Sequence, residues 1–339
     1  MVALAAVDVV ENVFIQILKS IVLVLVALQL LPVIIVAERK LLGRFQVRYG
    51  PNRVGPKGYF QPLADAIKLL SKEPFRPITA AGPLYLLAPA LSVIGAVAAF
   101  AIVPFGPLVN LFGADLGLYG IDVGVAPLYL FACGAIGFYG LMLGGWASGS
   151  KYSFLGSMRA AAQLISYEVA QGLALLGVIF MAGSLSLVDM VEQQREVWFV
   201  VPQLLGFLIF FVSGFAETNR PPFDLPEADA ELVQGYMTEY GGGAMTSFLF
   251  AEYLNMLTVS AISVTVFLGG WYIPFVDTPA WTYPLIVLGK TFLLVFFFIW
   301  VRATLPRLRY DQLMAFGWKI LLPLATLNAL VTAILVVVL

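Results

Sequence analysis

Long apolar segments alternate with polar connections along most of this chain. A helix needs about 20 apolar residues to cross the hydrocarbon core of a bilayer, which is about 30 Å thick. Eight segments meet this length, at roughly 13–37, 82–104, 126–147, 160–182, 197–216, 246–270, 283–301 and 317–338. They are too long and too evenly apolar for the alternating strands of a membrane barrel. The pattern therefore predicts an all-α, polytopic membrane helix bundle with about eight transmembrane helices.

The first apolar segment is expected to remain in the mature protein. It follows the charged residues Asp8 and Glu11 and has neither the basic start nor the small-residue cleavage site of a signal peptide. We therefore expect the mature chain to begin near Met1.

The composition agrees with lipid as the main solvent. Of 339 residues, 61% are hydrophobic and only 12% are charged, against roughly 25% charged residues in an average soluble domain. Cys133 is the only cysteine and histidine is absent. Disulfides, iron–sulfur clusters, histidine-ligated haem and zinc-hydrolase chemistry are thereby disfavoured, and we expect this chain to hold no metal or redox cofactor itself. The net charge of −1 gives no reason to expect nucleic-acid binding.

The basic residues predict an orientation. Fifteen Lys and Arg lie in connections that would share one side of the membrane, whereas the opposite connections contain only Arg195. Positive charge gathers on the cytoplasmic or mitochondrial matrix side, so both termini are expected to face the periplasm or intermembrane space. The chain is then a single membrane domain whose informative connections, 38–81, 217–245 and 302–316, lie on the cytoplasmic side.

The first connection, 38–81, contains nine Lys and Arg and two Gly-Pro pairs. Within residues 61–72, four apolar residues would share one face of a helix, namely Leu63, Ala66, Ile67 and Leu70. This pattern predicts a short amphipathic helix that lies along the membrane surface. The basic residues favour either anchoring to lipid headgroups or docking of a soluble partner.

The second connection, 217–245, contains six acids on the side where positive charge normally gathers. Pro226 suits the first position of a helix, whose dipole favours acids in its first turn. Asp224, Glu227 and Glu231 would then share one helical face. The pattern is compatible with a solvated helix start and with a half-buried site that holds protons.

Three charged residues lie inside predicted spans, Glu168, Glu252 and Lys290. An ionisable group near the bilayer centre costs about 2.5–3.5 kcal/mol on insertion scales, so it is expected to face the bundle interior or water. Gln171 and Asn255, each three residues after an acid, are expected to be the polar companions of Glu168 and Glu252. With Glu217 at the end of the fifth span, the acids favour a proton path, and a structural Glu–Lys pair is the alternative.

The last connection, 302–316, has three arginines within eight residues, Arg302, Arg307 and Arg309. They suit a cytoplasmic cap of the preceding span. Their guanidinium groups could equally pair with the acidic connection or dock a partner subunit.

Five long motifs occur in a fixed order, AERKLLGRFQVRYGPNRVGPKGYFQPLADAIKLLSKEPFRP, SYEVAQG, ETNRPPFDLPEADAELVQGYMTEY, AEYLNM and RATLPRLRYDQLM. With them the chain closely resembles, over about residues 13–325, the H subunits of bacterial respiratory complex I. This complex is the proton-pumping NADH:quinone oxidoreductase, and the mitochondrial counterpart of the family is called subunit 1.

The resemblance implies a role within a larger translocase. It implies a membrane subunit that joins the peripheral arm to the membrane arm, forms the chamber for the substrate ubiquinone or menaquinone, and couples quinone reduction to proton translocation. FMN and iron–sulfur clusters would belong to partner subunits. The implied partners are the peripheral quinone-module subunits, antiporter-like membrane subunits and lipid. The implied location is the bacterial inner membrane, or alternatively the mitochondrial inner membrane.

Together with the charge pattern, the resemblance assigns site residues but no catalytic residue. The quinone-chamber residues would be Arg39, Arg48, Asp65, Phe223 and Asp224. The proton-path residues would be Tyr167, Glu168, Glu217, Glu227, Asp229, Glu231, Glu252 and Lys290, and the subunit-docking residues Arg302, Arg307 and Arg309. The family pattern has Glu where this chain has Asp229, which keeps the acid but shortens its reach by one methylene.

Other classes of protein share parts of this pattern. Membrane subunits of energy-converting hydrogenases have the same ancestry and are the first alternative. A stand-alone proton-coupled transporter would use intramembrane acids without partners. A passive anchor for a peripheral arm would need the basic first connection but not Glu168 or Glu252.

Overall fold

The structure of the chain is a computed structural model that describes residues 13–111, 114–274, 276 and 278–338. The expected start of the mature protein near Met1 lies outside these residues. Within them the helices are α1 (Val13–Phe45), α2 (Gln61–Leu70), α3 (Gly82–Phe100), α4 (Ala126–Ala147), α5 (Lys151–Ala182), α6 (Leu187–Glu192), α7 (Leu204–Glu217), α8 (Asp229–Leu232), α9 (Gly242–Phe267), α10 (Tyr283–Thr304), α11 (Tyr310–Phe316) and α12 (Leu322–Val338). A π-helical segment, Gly317–Leu321, joins α11 to α12, and short 3-10 turns occupy Pro56–Gly58, Gly235–Met237 and Ala280–Thr282.

Seven helical stretches of the described chain are long and apolar enough to cross a membrane. They are Ile21–Phe45, Gly82–Phe100, Ala126–Ala147, Lys151–Ala182, Gly242–Phe267, Ala280–Thr304 and Tyr310–Val338. This arrangement confirms the predicted all-α polytopic membrane bundle.

The remaining predicted span, 197–216, forms a shorter helix than expected. Its helical part is α7, whose 14 residues extend about 21 Å at 1.5 Å per residue. Residues 197–203 form bends and turns instead. Pro202 lies in this stretch, where its missing backbone N–H disfavours a continuous helix interior.

A β-hairpin follows α3, with β1 (Pro104–Leu111) antiparallel to β2 (Ala114–Tyr119). The purely helical sequence prediction missed this feature. Pro104 and Pro107 have no backbone N–H and cannot continue α3. The hairpin contacts α6 and α10, so it covers one end of the bundle.

Helix α9 is the centre of the bundle. It packs against α1, α3, α7 and α10, and its most apolar stretch is 72% buried, the largest share among the seven long helices. Beside it, α3 and α4 approach closely, since a Cβ at Gly95 would lie 2.6 Å from the backbone nitrogen of Gly137. Small residues permit such close contacts between membrane helices. The packing therefore places Glu252 of α9 inside protein rather than in lipid.

The predicted amphipathic segment 61–72 forms α2, Gln61–Leu70. Leu63, Ile67 and Leu70 are 59%, 62% and 67% exposed. The expected apolar face is thus available to the bilayer or to a partner, and its position along the membrane surface stays a prediction.

Candidate functional site

A buried carboxylate near the end of α1 binds two arginines from distant parts of the chain. Arg220 donates from Nη1 to Glu38 Oε1 at 3.0 Å and Oε2 at 3.3 Å, and Arg302 Nη1 also donates to Oε1. Glu38 and Arg220 are both 3% exposed. The contacts tie the ends of α1 and α10 to the acidic connection.

Glu252 of α9 completes this cluster. Its Oε1 lies 2.8 Å from Nε of Arg220, and the guanidinium also lies over the Tyr253 ring, 4.2 Å from its centroid. Two carboxylates thus face two guanidinium groups, and this charge balance suits a buried site. We refer to Glu38, Arg220, Glu252 and Arg302 as the ionic cluster.

Sequence analysis missed the centre of the ionic cluster. It expected Asn255 as the companion of Glu252, whereas the ion-pair partner is Arg220. The signal for Glu38 was a carboxylate at the apolar end of the first span, but its partners are distant in sequence. Arg220 itself lies outside the spanning helices. Burial would lower its pKa, but Glu252 and Glu38 raise the pKa further, to a net value above the usual one.

Glu217, the last residue of α7, contacts α5 through Gln171. Gln171 Nε2 donates to Glu217 Oε2 at 2.8 Å. The expectation that Gln171 would accompany Glu168 was therefore wrong. Residues three apart on a helix differ in direction by about 60°, and this offset turns Gln171 towards α7.

Two cavities adjoin Glu217. The smaller, of about 10 Å³, is lined by Gly134, Leu164, Glu168, Gln171 and Glu217. The larger, of about 50 Å³, has Glu217, Asn219, Tyr236, Glu252 and Asn255 among its lining residues. A water needs about 10–15 Å³ measured in this way, so the larger cavity has room for about three waters and the smaller for about one. The structure therefore brings Glu168, Glu217 and Glu252 together through two polar cavities, with Glu217 common to both.

Tyr236 adds a hydroxyl to the larger cavity. It lies in the 3-10 turn Gly235–Met237, outside the spanning helices. Burial and the nearby acids Glu227, Glu252 and Asp224 raise the pKa of Tyr236 well above its usual value. Its hydroxyl therefore stays protonated and can both donate and accept a hydrogen bond.

The acidic connection does not form the expected helix from Pro226. Helix α8 begins only at Asp229, and Ala228 before it has a φ of 32°. Pro221, Pro222 and Pro226 supply no backbone N–H, which disfavours helix over this stretch. The Asp229 side chain lies outside the described part of the structure.

The acids of this connection consequently bind separate partners instead of forming one stripe. Asp224 pairs with Arg307, which realises the contact between the last and the acidic connections that the sequence left open. Glu231 pairs with Arg159 of α5 at 2.6 Å. Glu227 is placed by its effect on Tyr236.

A buried glutamine of α5, not singled out by sequence analysis, holds the start of this connection. Gln163 Nε2 donates to the carbonyl oxygens of Ala216 and Phe223, both at 2.7 Å. A glutamine inside an apolar span was its sequence signal. Phe223 packs edge-on against Tyr167, with ring centroids 5.3 Å apart. The Tyr167 hydroxyl donates to the Leu313 carbonyl at 2.8 Å, so its proton points towards α11.

The predicted quinone-chamber residues fall into separate contacts. Arg39 Nη1 lies 2.6 Å from Asp65 Oδ2, joining α1 to α2. Burial would raise the pKa of Asp65, but the hydrogen bonds from Arg39 and Gln61 bring the net pKa below its usual value. Arg48 Nε donates to Gln46 at 2.8 Å on the exposed surface.

Lys290 lies at the other end of α9 from the ionic cluster. Its Nζ donates to the carbonyl oxygens of Leu268, Gly270 and Tyr272 at 2.7, 2.9 and 2.7 Å. Residue 268 is 16 residues beyond Glu252, or about 24 Å along a helix. The Glu–Lys pair considered from the sequence is therefore not formed with Glu252. Arg309 pairs with Asp311 on the exposed surface at 2.8 Å.

Fold and site together define a class of protein. This is a multi-pass membrane protein that keeps ionisable side chains inside its helix bundle, a feature usual in membrane proteins that handle protons or ions. The model of the NADH dehydrogenase family matches residues 18–333.

Relatives agree with this match over nearly the whole chain. The first of two H subunits of NADH-quinone oxidoreductase in Geobacter metallireducens is 49% identical over 321 residues, covering 95% of this chain and 96% of the relative. The second H subunit of Geobacter sulfurreducens is 50% identical, with 91% and 92% covered. The H subunit of Syntrophotalea carbinolica is 52% identical, with 88% and 89% covered. The chain therefore belongs to the NADH dehydrogenase family, among the H subunits of NADH-quinone oxidoreductase, which confirms the resemblance drawn from its motifs.

Proposed function

We propose that this chain is the H subunit of a proton-translocating NADH:quinone oxidoreductase and couples quinone reduction to proton translocation. It would work in a bacterial inner membrane with both termini in the periplasm. Its substrate would be ubiquinone or menaquinone, and FMN and iron–sulfur clusters would be held by partner subunits. Partners would include the peripheral quinone-module subunits and antiporter-like membrane subunits.

The quinone chamber would lie on the cytoplasmic side, next to the peripheral arm. The pairs Arg39–Asp65 and Arg307–Asp224 support this assignment, because both present charged groups beside exposed or connecting segments. Arg48 and Phe223 would complete the chamber wall. Arg309, which is exposed together with Asp311, would remain accessible to a docked subunit.

Coupling would begin with the charge change that accompanies quinone reduction. Asp224 and Glu38 both bind arginines of the α10–α11 region, Arg307 and Arg302. A change in charge at the chamber would therefore alter the pairing in the ionic cluster. Glu252, which shares Arg220 with Glu38, would respond by taking up or releasing a proton.

The proton path itself rests on one observation. Glu217 lines two cavities, one shared with Glu252 and the other with Glu168. Water in these cavities would carry protons between the three acids. Moving a charge against the membrane potential requires about 2.3 kcal/mol per 100 mV, and the redox reaction in the partner subunits would supply this free energy.

Glu217→Gln in the whole complex tests the proposal. Glutamine keeps the size and hydrogen bonding of the side chain but removes the titratable proton. We expect proton uptake per NADH to fall in reconstituted vesicles, while NADH oxidation by artificial acceptors stays at the wild-type rate. Glu196→Gln is the matched control, because Glu196 is exposed near the opposite end of α7. Wild-type proton uptake in assembled Glu217→Gln complexes would contradict the proposal.

A further inference from the structure

Gln171 is the buried hydrogen-bond partner of Glu217. It is 1% exposed, and its Nε2 donates to Glu217 Oε2 at 2.8 Å. The other end of its carboxamide, Oε1, has no hydrogen-bond partner among the described residues. One half of a buried amide is thus used and the other half is not, although both lie beside a carboxyl group.

This asymmetry matches one of the two charge states of Glu217. An ionised carboxyl group only accepts hydrogen bonds, whereas a protonated one also donates through its O–H. The observed orientation, with the amide N–H towards the carboxyl, satisfies the ionised state. A reversed carboxamide would place its oxygen where it can accept the O–H of the protonated state, because the two ends of an amide have nearly the same shape.

We propose that Gln171 is a positioning residue that serves both protonation states of Glu217 by reversing its carboxamide. This inference rests on the proposed function, in which Glu217 takes up and releases protons. The proton would arrive from the larger cavity and be held between Glu217 Oε2 and Gln171 Oε1. It would leave through the smaller cavity towards Glu168, and no covalent bond of Gln171 forms or breaks.

The surroundings of Glu217 give this task to Gln171. Gly134 faces Glu217 without a side chain, since a Cβ built there would lie 3.6 Å from Glu217 Oε1. Leu164 contributes only an apolar side chain to the smaller cavity. The neighbouring Thr218 hydroxyl donates to Gly214 within its own chain segment, at 2.9 Å. Glu168, the remaining polar group of the smaller cavity, is itself titratable.

The test compares variants of Gln171 in the whole complex. Gln171→Met removes both ends of the carboxamide at similar length. Gln171→Glu keeps the size and, when protonated, offers both a donor and an acceptor. Gln194→Met is the matched control, because Gln194 is fully buried and its carboxamide bonds to Met190 and Thr265 at a distance from Glu217.

Two readouts are required. The first is proton uptake per NADH in vesicles, with artificial-acceptor activity and complex content measured in parallel. The second is the carboxyl C=O band in infrared difference spectra on reduction by NADH, assigned to Glu217 by its loss in Glu217→Gln. A purely structural role for Gln171 would leave this band in place in assembled complexes.

We expect Gln171→Met to displace the band and lower proton uptake per NADH towards the Glu217→Gln value. Gln171→Glu should lie closer to wild type in proton uptake, and assembled Gln194→Met should match wild type in both readouts. An unchanged band and wild-type proton uptake in Gln171→Met would overturn the inference, as would equal loss of uptake in Gln171→Met and Gln171→Glu.

If Gln171→Met does not assemble, Gln171→Glu decides. A displaced band supports the inference, and a band at the wild-type position overturns it. The two proposals remain separable through Glu217→Gln. Wild-type uptake in Glu217→Gln contradicts the proton path itself, whereas reduced uptake there with normal uptake in Gln171→Met contradicts only the role of Gln171.

Discussion

The guanidinium of Arg220 pairs with the carboxylate of Glu252 at 2.8 Å, across the boundary between the acidic connection and α9. The same guanidinium binds Glu38 of α1. One cation thus holds two buried carboxylates, and Arg302 supplies the second positive charge. The ionic cluster is therefore sensitive to the loss of any single member.

Arg220→Gln should reduce assembly strongly. Removing one partner of a buried ion pair costs about 3–5 kcal/mol, because the other charge stays buried without compensation. In this variant Arg302 alone would face Glu38 and Glu252. Complex content on native gels and the midpoint of thermal inactivation measure the loss.

The double variant Arg220→Gln with Glu252→Gln restores the charge balance, since Glu38 and Arg302 remain as a pair. We expect it to assemble better than Arg220→Gln alone. Equal assembly of the single and double variants would show that charge balance is not what the cluster requires.

The cavity between Glu168 and Glu217 makes a prediction at Gly134. Gly134→Ala should be tolerated, because its Cβ would lie 3.6 Å from Glu217 Oε1, an ordinary contact. Gly134→Leu should fill the cavity, lower proton uptake per NADH and cost about 1–3 kcal/mol of stability through overpacking. Proton uptake in vesicles, normalised to complex content, distinguishes the two. Equal uptake in both variants would mean that protons do not pass through this cavity.

Much of the fold followed from the sequence because spans and interfacial helices are local patterns. The run of apolar residues that gives α4 occupies the predicted residues 126–147, and α2 begins at the predicted Gln61. Local reasoning failed where prolines interrupt a pattern. Pro202 shortens α7, and the prolines of the acidic connection prevent the helix expected from Pro226.

The site was predictable in its members but not in its pairings. A carboxylate inside a span needs a partner, and this requirement identified Glu252 from the sequence. Its partner, Arg220, comes from another element, and the third member, Glu38, is 182 residues from Arg220. Such pairings depend on how helices pack around α9, which no local spacing specifies. The same reason explains why Gln171 binds Glu217 instead of Glu168.

Asp65 and Arg48 test the quinone chamber. Asp65→Ala and Arg48→Ala should slow quinone reduction while leaving NADH oxidation by artificial acceptors intact. Asp65 loses its ion pair with Arg39, which would disturb the α1–α2 contact at the chamber. Arg53→Ala, in the same exposed basic connection, is the control. Normal quinone kinetics in fully assembled Asp65→Ala and Arg48→Ala complexes would contradict the chamber assignment.

The orientation of α2 is tested by labelling. Its ten residues extend only about 15 Å, too short to cross a bilayer. In a Cys133→Ala background, cysteines introduced at Lys57 and Arg76, both exposed, should react with a membrane-impermeant reagent from the cytoplasmic side only. Labelling of the two positions from opposite sides would exclude a helix in the membrane plane.

The double variant Glu168→Gln with Glu252→Gln tests the proton path most directly, because it removes the titratable groups on both sides of Glu217 and leaves Glu217 intact. A single missing acid could be bypassed by water in the cavities, whereas two missing acids leave Glu217 without a relay on either side. The measurement is proton uptake per NADH, together with the rate of quinone reduction, in vesicles containing the assembled complex. We predict that both values fall while NADH oxidation by artificial acceptors is unchanged. Wild-type values for both would show that the two acids are structural and that protons do not follow this path.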